Sequence, residues 1–132
     1  MADSNYVLSR GFDVASGQTI TKRRFVKLSA AETVTPVAAI TDVAVGVARY
    51  DVTVAEVARG KGADVQMIGI AEVEASVALA VGALVGLSAN GRAAAAAAGT
   101  RTVGMVVGNP STNAGDVVSV LLNLPGLLGV GA

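Results

Sequence analysis

The chain has 132 residues, of which 52% are apolar, mainly 25 Ala and 23 Val, whereas aromatic side chains make up only 3%. Ten basic residues balance ten acidic ones, and the chain contains neither His nor Cys. This composition excludes disulfides, haem and iron–sulfur ligation, the usual zinc sites and His-dependent catalytic triads. The zero net charge argues against a dedicated nucleic-acid-binding protein. We therefore expect one compact domain that holds no metal and no other cofactor.

Taken in chain order, the local patterns predict an all-β protein. Residues 1–13 carry charges and lack the apolar core of a signal peptide. Short segments rich in Val, Ile and Thr follow, separated by Gly and Pro, and they favour strands in a small β-barrel or β-sandwich-like domain. The predicted strands are Arg24–Leu28, Val43–Arg49, Glu56–Arg59, Asp64–Glu74, Ala83–Leu87, Arg92–Ala97, Arg101–Val107 and Asp116–Asn123. The uncharged runs 75–91 and 117–132 are interrupted by Gly or Pro and are shorter than the ~20 residues of a membrane helix, so no membrane span is expected.

Two segments leave alternatives open. Ala93–Ala98 is a run of six alanines, and Ala is the best helix former, but Gly91 and Gly99 bracket a run too short for a stable isolated helix. We interpret it as a strand, with a short helix as the alternative. The stretch Ala30–Thr41 is ambiguous, although Pro36 limits any helix there.

The chain contains an internal similarity. Phe25–Ala30 resembles Leu84–Ala89 at an offset of 59 residues, and further matches follow in the same order at nearly the same offset. Those further matches pair Val45–Ala48 with Val103–Val106, and Ala55–Val57 with Gly115–Val117. A half-length unit is too small to bury its own apolar face. The similarity therefore predicts two copies of one strand unit that share a core.

Charged residues provide the candidate binding sites. The cluster Lys22–Lys27 contains four cations, which fit contact with an acidic protein surface or with phosphate, but a solvated edge strand protected by positive charge is the simpler interpretation. Glu72 and Glu74 share one face of a strand and could do acid–base work or bind a metal, but a solvated strand face is the simpler interpretation.

Arg59–Gly62 lacks the spacing of a phosphate-binding loop and predicts a hairpin turn. Tyr50 is expected in the core or at a sheet edge, and an exposed position at an interface is the alternative.

The C-terminal half carries little charge. Residues 67–132 hold two basic and three acidic groups, and the chain ends in an apolar segment that begins at Leu121. Such a segment is normally packed. It could dock on its own barrel or against a neighbouring chain.

Several segments together resemble the capsid decoration (cement) proteins of tailed bacteriophages. The resemblance covers about Val14 to Leu124, and its motifs are Gly/Val/Ala patterns rather than catalytic signatures. The matching segments are Val14–Gln18, Val43–Ala48, Val81–Val85, Ser88–Ala93, Val103–Val106 and Ala114–Val120. Where this chain has Ala55-Glu56, a Gly-Glu pair is more usual in that family, so one turn residue differs. The tail after Leu124 has no counterpart.

The resemblance implies a non-enzymatic virion protein that is made in the cytoplasm of the bacterial host. Such proteins bind the outer surface of the mature capsid, commonly as trimers at three-fold and local three-fold positions, and clamp adjacent subunits of the major capsid protein. It implies an extended N-terminal arm over 1–13, a β-barrel domain over 14–124 and an apolar tail over 125–132. A self-assembling tail, fibre or other virion surface component is the alternative.

The same resemblance implies which residues contact the capsid and which pack between subunits. In the arm, Tyr6, Val7 and Leu8 are expected to anchor on the capsid by adding to its sheet. The cations Lys22, Arg23 and Arg24 are expected to face an acidic capsid surface. Packing between subunits is expected from a set of leucines near the C-terminus, which are Leu121, Leu122, Leu124, Leu127 and Leu128.

Overall fold

The computed structural model describes residues 5–97 and 101–124, with residues 5–7 described by their backbone alone. Nine strands and one short helix form within these residues. The strands are β1 (Asn5–Val14), β2 (Phe25–Ala30), β3 (Thr33–Pro36), β4 (Ala44–Ala48), β5 (Ala63–Glu74), β6 (Leu84–Leu87), β7 (Ala93–Ala95), β8 (Gly104–Gly108) and β9 (Val117–Leu122). The helix α1 spans Val54–Ala58. The protein is thus nearly all β, as the sequence predicts.

The first five strands close into a barrel. Their order is β1-β3-β2-β4-β5, and β1 also pairs with β5, which closes the ring. The β1–β3 pairing is parallel, with Val14 opposite Val34, and the other pairings are antiparallel. We call this ring the first barrel; its interior is a cluster of buried side chains. Those side chains are Phe12, Val14, Ile20, Val26, Val34, Ala48, Val52, Ala63 and Val65.

The remaining strands form a second unit that shares β5. The second half of β5 pairs with β9, and the order continues through β8 and β6 to β7. A parallel bridge between Ala75 and Ala93 brings β7 back to the end of β5. Between the two halves of β5, Gly69 has a φ of +109°, a backbone conformation that favours glycine. The Gln66 amide donates to the carbonyls of Ile68 and Ile70 across this irregular stretch, at 3.3 and 3.1 Å.

The two units repeat one pattern of pairing. In the first unit, the parallel pairing of β1 with β3 is followed by three antiparallel pairings, β3–β2, β2–β4 and β4–β5. In the second unit, the parallel bridge from the end of β5 to β7 is followed by the antiparallel pairings β7–β6, β6–β8 and β8–β9. Strands β6, β7, β8 and β9 therefore correspond to β2, β3, β4 and the first half of β5, respectively. The isolated bridge between Ile20 and Val52 recurs between Leu79 and Ser111, at an offset of 59 for both partners. The internal repeat predicted from the sequence is therefore confirmed. Its physical basis is that each unit alone is small. The buried side chains form two clusters, one inside the first barrel and one that combines residues of the second unit with Phe25, Val37, Ala44 and Val47 of the first.

Three local assignments differ from, or refine, the predictions. From Asn5 onward the segment expected to form an arm is a barrel strand, because it pairs along β5 and buries Phe12 and Val14 in the first barrel. The strand predicted over Glu56–Arg59 is wrong, since these residues belong to α1 and its end. A capping box explains the helix: Glu56 N–H donates to the Thr53 hydroxyl, and Thr53 N–H donates to the Glu56 carboxylate.

The alanine run is a strand where it is described. Ala93–Ala95 form β7 and pair with β6, with Leu87 opposite Ala93 and Val85 opposite Ala95. Ala93 is fully buried against the second unit's core, where a larger side chain would meet closely packed neighbours. Ala98 lies outside the described residues.

Two carboxylates in turns make the free energy of unfolding sensitive to acid. Hydrogen bonds from the Ala38 N–H and then Lys27 lower the pKa of Asp42, and those from the Thr112 and Asn113 N–H groups lower the pKa of Asp116. Folding thus favours the ionised forms; this stabilisation is present above the ordinary pKa of 3.8 and is lost as the pH falls through the lower folded-state values.

We therefore expect the double variant Asp42→Asn, Asp116→Asn to be less stable than the wild type at neutral pH. The difference should close as the pH falls below about 4, because the wild-type carboxylates then become neutral. Urea unfolding of both proteins across the acid range measures this. Stability curves that run parallel down to acid pH would contradict the assignment.

Candidate functional site

The predicted basic cluster begins in the loop that leads into β2. Lys22 N–H donates to the Asp51 carboxylate at 2.8 Å, and Arg23 N–H donates to the Ala48 carbonyl at 2.8 Å. Arg23 has a φ of +64°, in the left-handed region. The repeat explains this conformation, because the equivalent residue of the second unit is Gly82, with a φ of +90°. The loop therefore has a fixed backbone, and it presents Lys22 to solvent.

Two of the three predicted cations face acidic side chains of the same chain. Arg23 Nε lies 3.8 Å from Glu72, and Arg24 Nε donates to Glu74 at 3.1 Å. Arg92 from the second unit approaches the other oxygen of Glu74 at 2.9 Å. The carboxylates Glu72 and Glu74 thus act as ion-pair partners at the junction between the two units. Much of the positive charge of Arg23 and Arg24 is therefore balanced internally. Lys22 and Arg23 are both exposed, but of the three cations only Lys22 forms no side-chain ion pair with another described residue.

An exposed tyrosine lies beside Lys22–Arg24, which we call the basic loop. Tyr50 is 55% exposed, which contradicts a core position and agrees with the alternative of an exposed position. The guanidinium of Arg49 lies 5.3 Å from the centre of its ring, and Arg49 also forms an ion pair with Asp64 at 2.9 Å. A groove of about 260 Å³ between Tyr50 and Lys22 is lined largely by polar groups. An exposed aromatic side chain next to paired charges is typical of a protein–protein interface.

A second surface is apolar. It is a groove of about 350 Å³ that borders the first barrel, and we call it the apolar groove. Its lining residues are Leu8, Leu28, Val43, Ala44, Val45, Met67, Ile68 and Leu124. Leu28 and Val43 are each more than half exposed, and Leu8 and Ile68 are only slightly less so. Of the three predicted anchors on β1, Leu8 therefore lies in this groove, whereas the side chains of Tyr6 and Val7 lie outside the described part of the chain.

The leucines predicted for subunit packing separate into three groups. Leu122 and Leu124 are buried in the second unit's own core, and Leu121, on the opposite face of β9, is 43% exposed. Leu127 and Leu128 lie outside the described residues. The alternation of side chains along a strand explains why Leu121 and Leu122 point in opposite directions.

The apolar groove could not be predicted from local sequence patterns. Its residues come from β1, β2, β4 and β5, from the residue before β4 and from the segment after β9, so only the folded topology brings them together. The available signal was the Ile68-Gly69-Ile70 sequence, in which a glycine interrupts a strand between two large apolar residues. Among the described residues, no three potential metal-ligating side chains cluster together. In that same part of the chain, no helix is long and apolar enough to cross a membrane.

Comparisons with known proteins are consistent with this fold. No protein-family model matches the chain, and no curated protein is significantly similar to it in sequence. Among solved structures, the chain is similar to the head fiber gp8.5 N base of bacteriophage phi29, with a TM-score of 0.66 at 18% identity. The match covers 88% of this chain and 93% of that one. Both units of the repeat therefore contribute to the shared fold.

Proposed function

We propose that this chain is a non-enzymatic structural protein of a bacteriophage virion that binds the outer surface of the mature capsid. It stabilises the capsid by clamping adjacent major capsid protein subunits, as trimers at three-fold and local three-fold positions. Many weak contacts, multiplied by the valency of the trimer, supply the affinity. The observation that carries the proposal is the similarity of nearly the whole fold to a phage head fiber N base. The sequence resemblance to capsid decoration proteins supports it independently.

The surfaces described above fit this role better than they fit catalysis. In the polar groove beside Lys22, Arg23, Arg49 and Glu72 are engaged in ion pairs, and the larger groove is apolar. An enzyme would need convergent polar groups in a concave, water-excluding pocket. Exposed Lys22 and Tyr50 instead provide a charge and an aromatic anchor for an acidic protein surface.

A second candidate role is that of a head fiber or another self-assembling component of the virion surface. The specific observation in its favour is that the similar solved structure is a piece of a head fiber. The two roles differ in stoichiometry, because a decoration protein occupies many positions on the capsid, whereas a fibre component occupies few.

The experiment is a titration of the purified protein onto DNA-filled heads that lack it, with bound copies counted per major capsid subunit. Saturation near one copy per capsid subunit is expected for the decoration role. Saturation at a small fraction of that number would favour the fibre role. The absence of binding at micromolar concentration would overturn both.

In the same titration, we expect Lys22→Glu to weaken binding to the heads by about tenfold at low salt, and by less at high salt. The reason is that an exposed cation at the rim of an interface acts mainly through screened electrostatic attraction. Arg101→Glu makes the same change of charge at an exposed position of the second unit and serves as the matched control. An equal loss in both variants, or no loss for Lys22→Glu, would exclude the basic loop as a capsid contact.

A further inference from the structure

The repeat allows each surface of one unit to be compared with the equivalent surface of the other. In the first barrel, Phe25 and Val47 point outward, and they are opposite each other in the pairing of β2 with β4. Both are nevertheless buried, with exposures of 0% and 2%. They belong to the hydrophobic cluster of the second unit and not to that of the first barrel. The second unit therefore covers this outward face.

Backbone contacts hold the cover in place. Phe25 N–H donates to the Gly91 carbonyl at 2.8 Å, and Glu74 N–H donates to the Arg23 carbonyl at 2.8 Å. Gly91 lies so close to Phe25 that a Cβ there would come within 2.8 Å of the Phe25 carbonyl oxygen. The contact between units is thus close-packed, and it includes both apolar side chains and main-chain hydrogen bonds.

The equivalent face of the second unit has no such cover among the described residues. Leu84 corresponds to Phe25 and Met105 to Val47, and these two are again paired across neighbouring strands. Leu121 lies opposite Met105 on β9 and extends the same row. Leu84 is 56% exposed, Met105 36% and Leu121 43%. We call these three residues the outer row; large apolar side chains in a contiguous row are typical of a surface that another molecule covers.

The receiving side of the contact shows the same asymmetry. In the second unit Leu87, Val103 and Leu122 are buried in the cluster that contains Phe25 and Val47. Their equivalents in the first barrel, by strand register and offset, are Leu28, Val45 and Met67, and all three line the apolar groove. The apolar groove is therefore the first barrel's counterpart of a surface that is filled in the second unit.

We infer that the outer row of one copy packs into the apolar groove of the next copy, in the way that the first barrel packs against the second unit within one chain. The occupant of the groove is a second copy of this chain because the chain itself already contains this pairing between its two units. Both exposed apolar surfaces are then explained by one contact. The inferred contact does not depend on the proposed function, since it joins copies of the chain without a capsid.

Such a contact is heterologous, because different surfaces of the two copies meet. Contacts of this kind generate closed rings if the rotation between copies closes, and open filaments if it does not. The contact would therefore supply the subunit interface of a closed ring, such as the trimer proposed above, or of a filament. It also leaves the basic loop with Lys22 and Tyr50 outside the interface, where a capsid could be bound.

The test uses one charged substitution on each side, Leu84→Asp in the outer row and Leu28→Asp in the apolar groove. We expect the wild type to associate in sedimentation-velocity experiments without any capsid, and each variant to weaken this association by about tenfold or more. A mixture of the two variants should form a complex of one copy of each that does not extend, because each variant retains the surface that the other has lost. Two-fold symmetric contacts would not give this complementation.

Val54→Asp provides the matched control, since Val54 is 46% exposed on α1 and belongs to neither surface. It should leave association unchanged, and circular dichroism should show that all three variants keep the wild-type fold. A monomeric wild type at all concentrations would overturn the inference, as it would leave the groove to another occupant, such as the chain's own C-terminal residues. Equal losses in the control, or no complementation in the mixture, would overturn it too. Failure of capsid binding alone would overturn only the proposed function.

Discussion

Replacing Gly46 or Gly104 with Ala should destabilise the protein by about 1–3 kcal/mol in each case, although the change adds a single methyl group. Gly46 lies in β4 and Gly104 in β8, at equivalent positions of the repeat. A Cβ on Gly46 would come within 3.0 Å of the Gln66 carbonyl oxygen and of Val65 Cγ1. A Cβ on Gly104 would meet the carbonyl oxygen and the valine side chain at the two equivalent positions of β9. Because one obstacle in each case is main chain, a side-chain rotation cannot relieve the overlap.

Two other strand glycines provide the controls for this prediction. A Cβ on Gly11 would have its nearest neighbour at 4.0 Å, and one on Gly108 would have its nearest neighbour at 3.5 Å, both ordinary contact distances. We expect Gly11→Ala and Gly108→Ala to change the free energy of unfolding by less than about 1 kcal/mol. Urea denaturation of the four variants measures the difference. If all four variants were equally stable, the close approach of neighbouring strands would not explain why both units of the repeat have a glycine at this position.

The positions of most strands could be predicted because Val-rich segments alternate with Gly and Pro along this chain. The repeat was also visible, since Phe25–Ala30 and Leu84–Ala89 share a pattern at a constant offset. The long strand β5 was predicted almost to its observed bounds. What the pattern could not show is that its two halves belong to different units. That division depends on Gly69 and on which strand pairs with each half.

Other features depend on contacts between residues distant in the sequence. From the sequence alone, the basic loop is expected to be a free cationic patch. In the structure, Arg23 and Arg24 face Glu72 and Glu74, which lie about fifty residues later in the chain. Periodicity predicts which carboxylates share a strand face, but not which cations lie above them. Helix α1 is a different case, because the Thr53–Glu56 capping box was a local signal that strand propensity outweighed.

The most informative difference between prediction and structure is in burial. Phe25 and Leu84 occupy equivalent positions and have similar neighbours in sequence, so a sequence comparison predicts the same surroundings for both. In the structure, one is fully buried and the other is more than half exposed. A tandem repeat necessarily produces this asymmetry, because only one of two identical contact surfaces can be covered within the chain.

The largest effect that we expect from a single substitution follows from this asymmetry. Phe25→Ala should destabilise the protein by about 3–5 kcal/mol, since it removes a fully buried aromatic side chain and leaves a cavity where the two units meet. Leu84→Ala, at the equivalent position, should change the stability of the monomer by less than about 0.5 kcal/mol, because Leu84 is 56% exposed. Thermal unfolding at low protein concentration measures both, and the Phe25 variant should melt about 10 °C or more below the wild type.

Protein concentration decides how the Leu84 result is to be interpreted. If a second copy covers the outer row, Leu84→Ala should have little effect in dilute solution and a growing effect as the concentration rises, because association stabilises only the folded chain. Phe25→Ala should be destabilising at every concentration, since its surroundings lie within one chain. Similar losses for both variants in dilute solution would mean that Leu84 is covered by the chain itself. The equivalence of the two positions would then extend to their burial, and no interface between copies would be needed to explain the outer row.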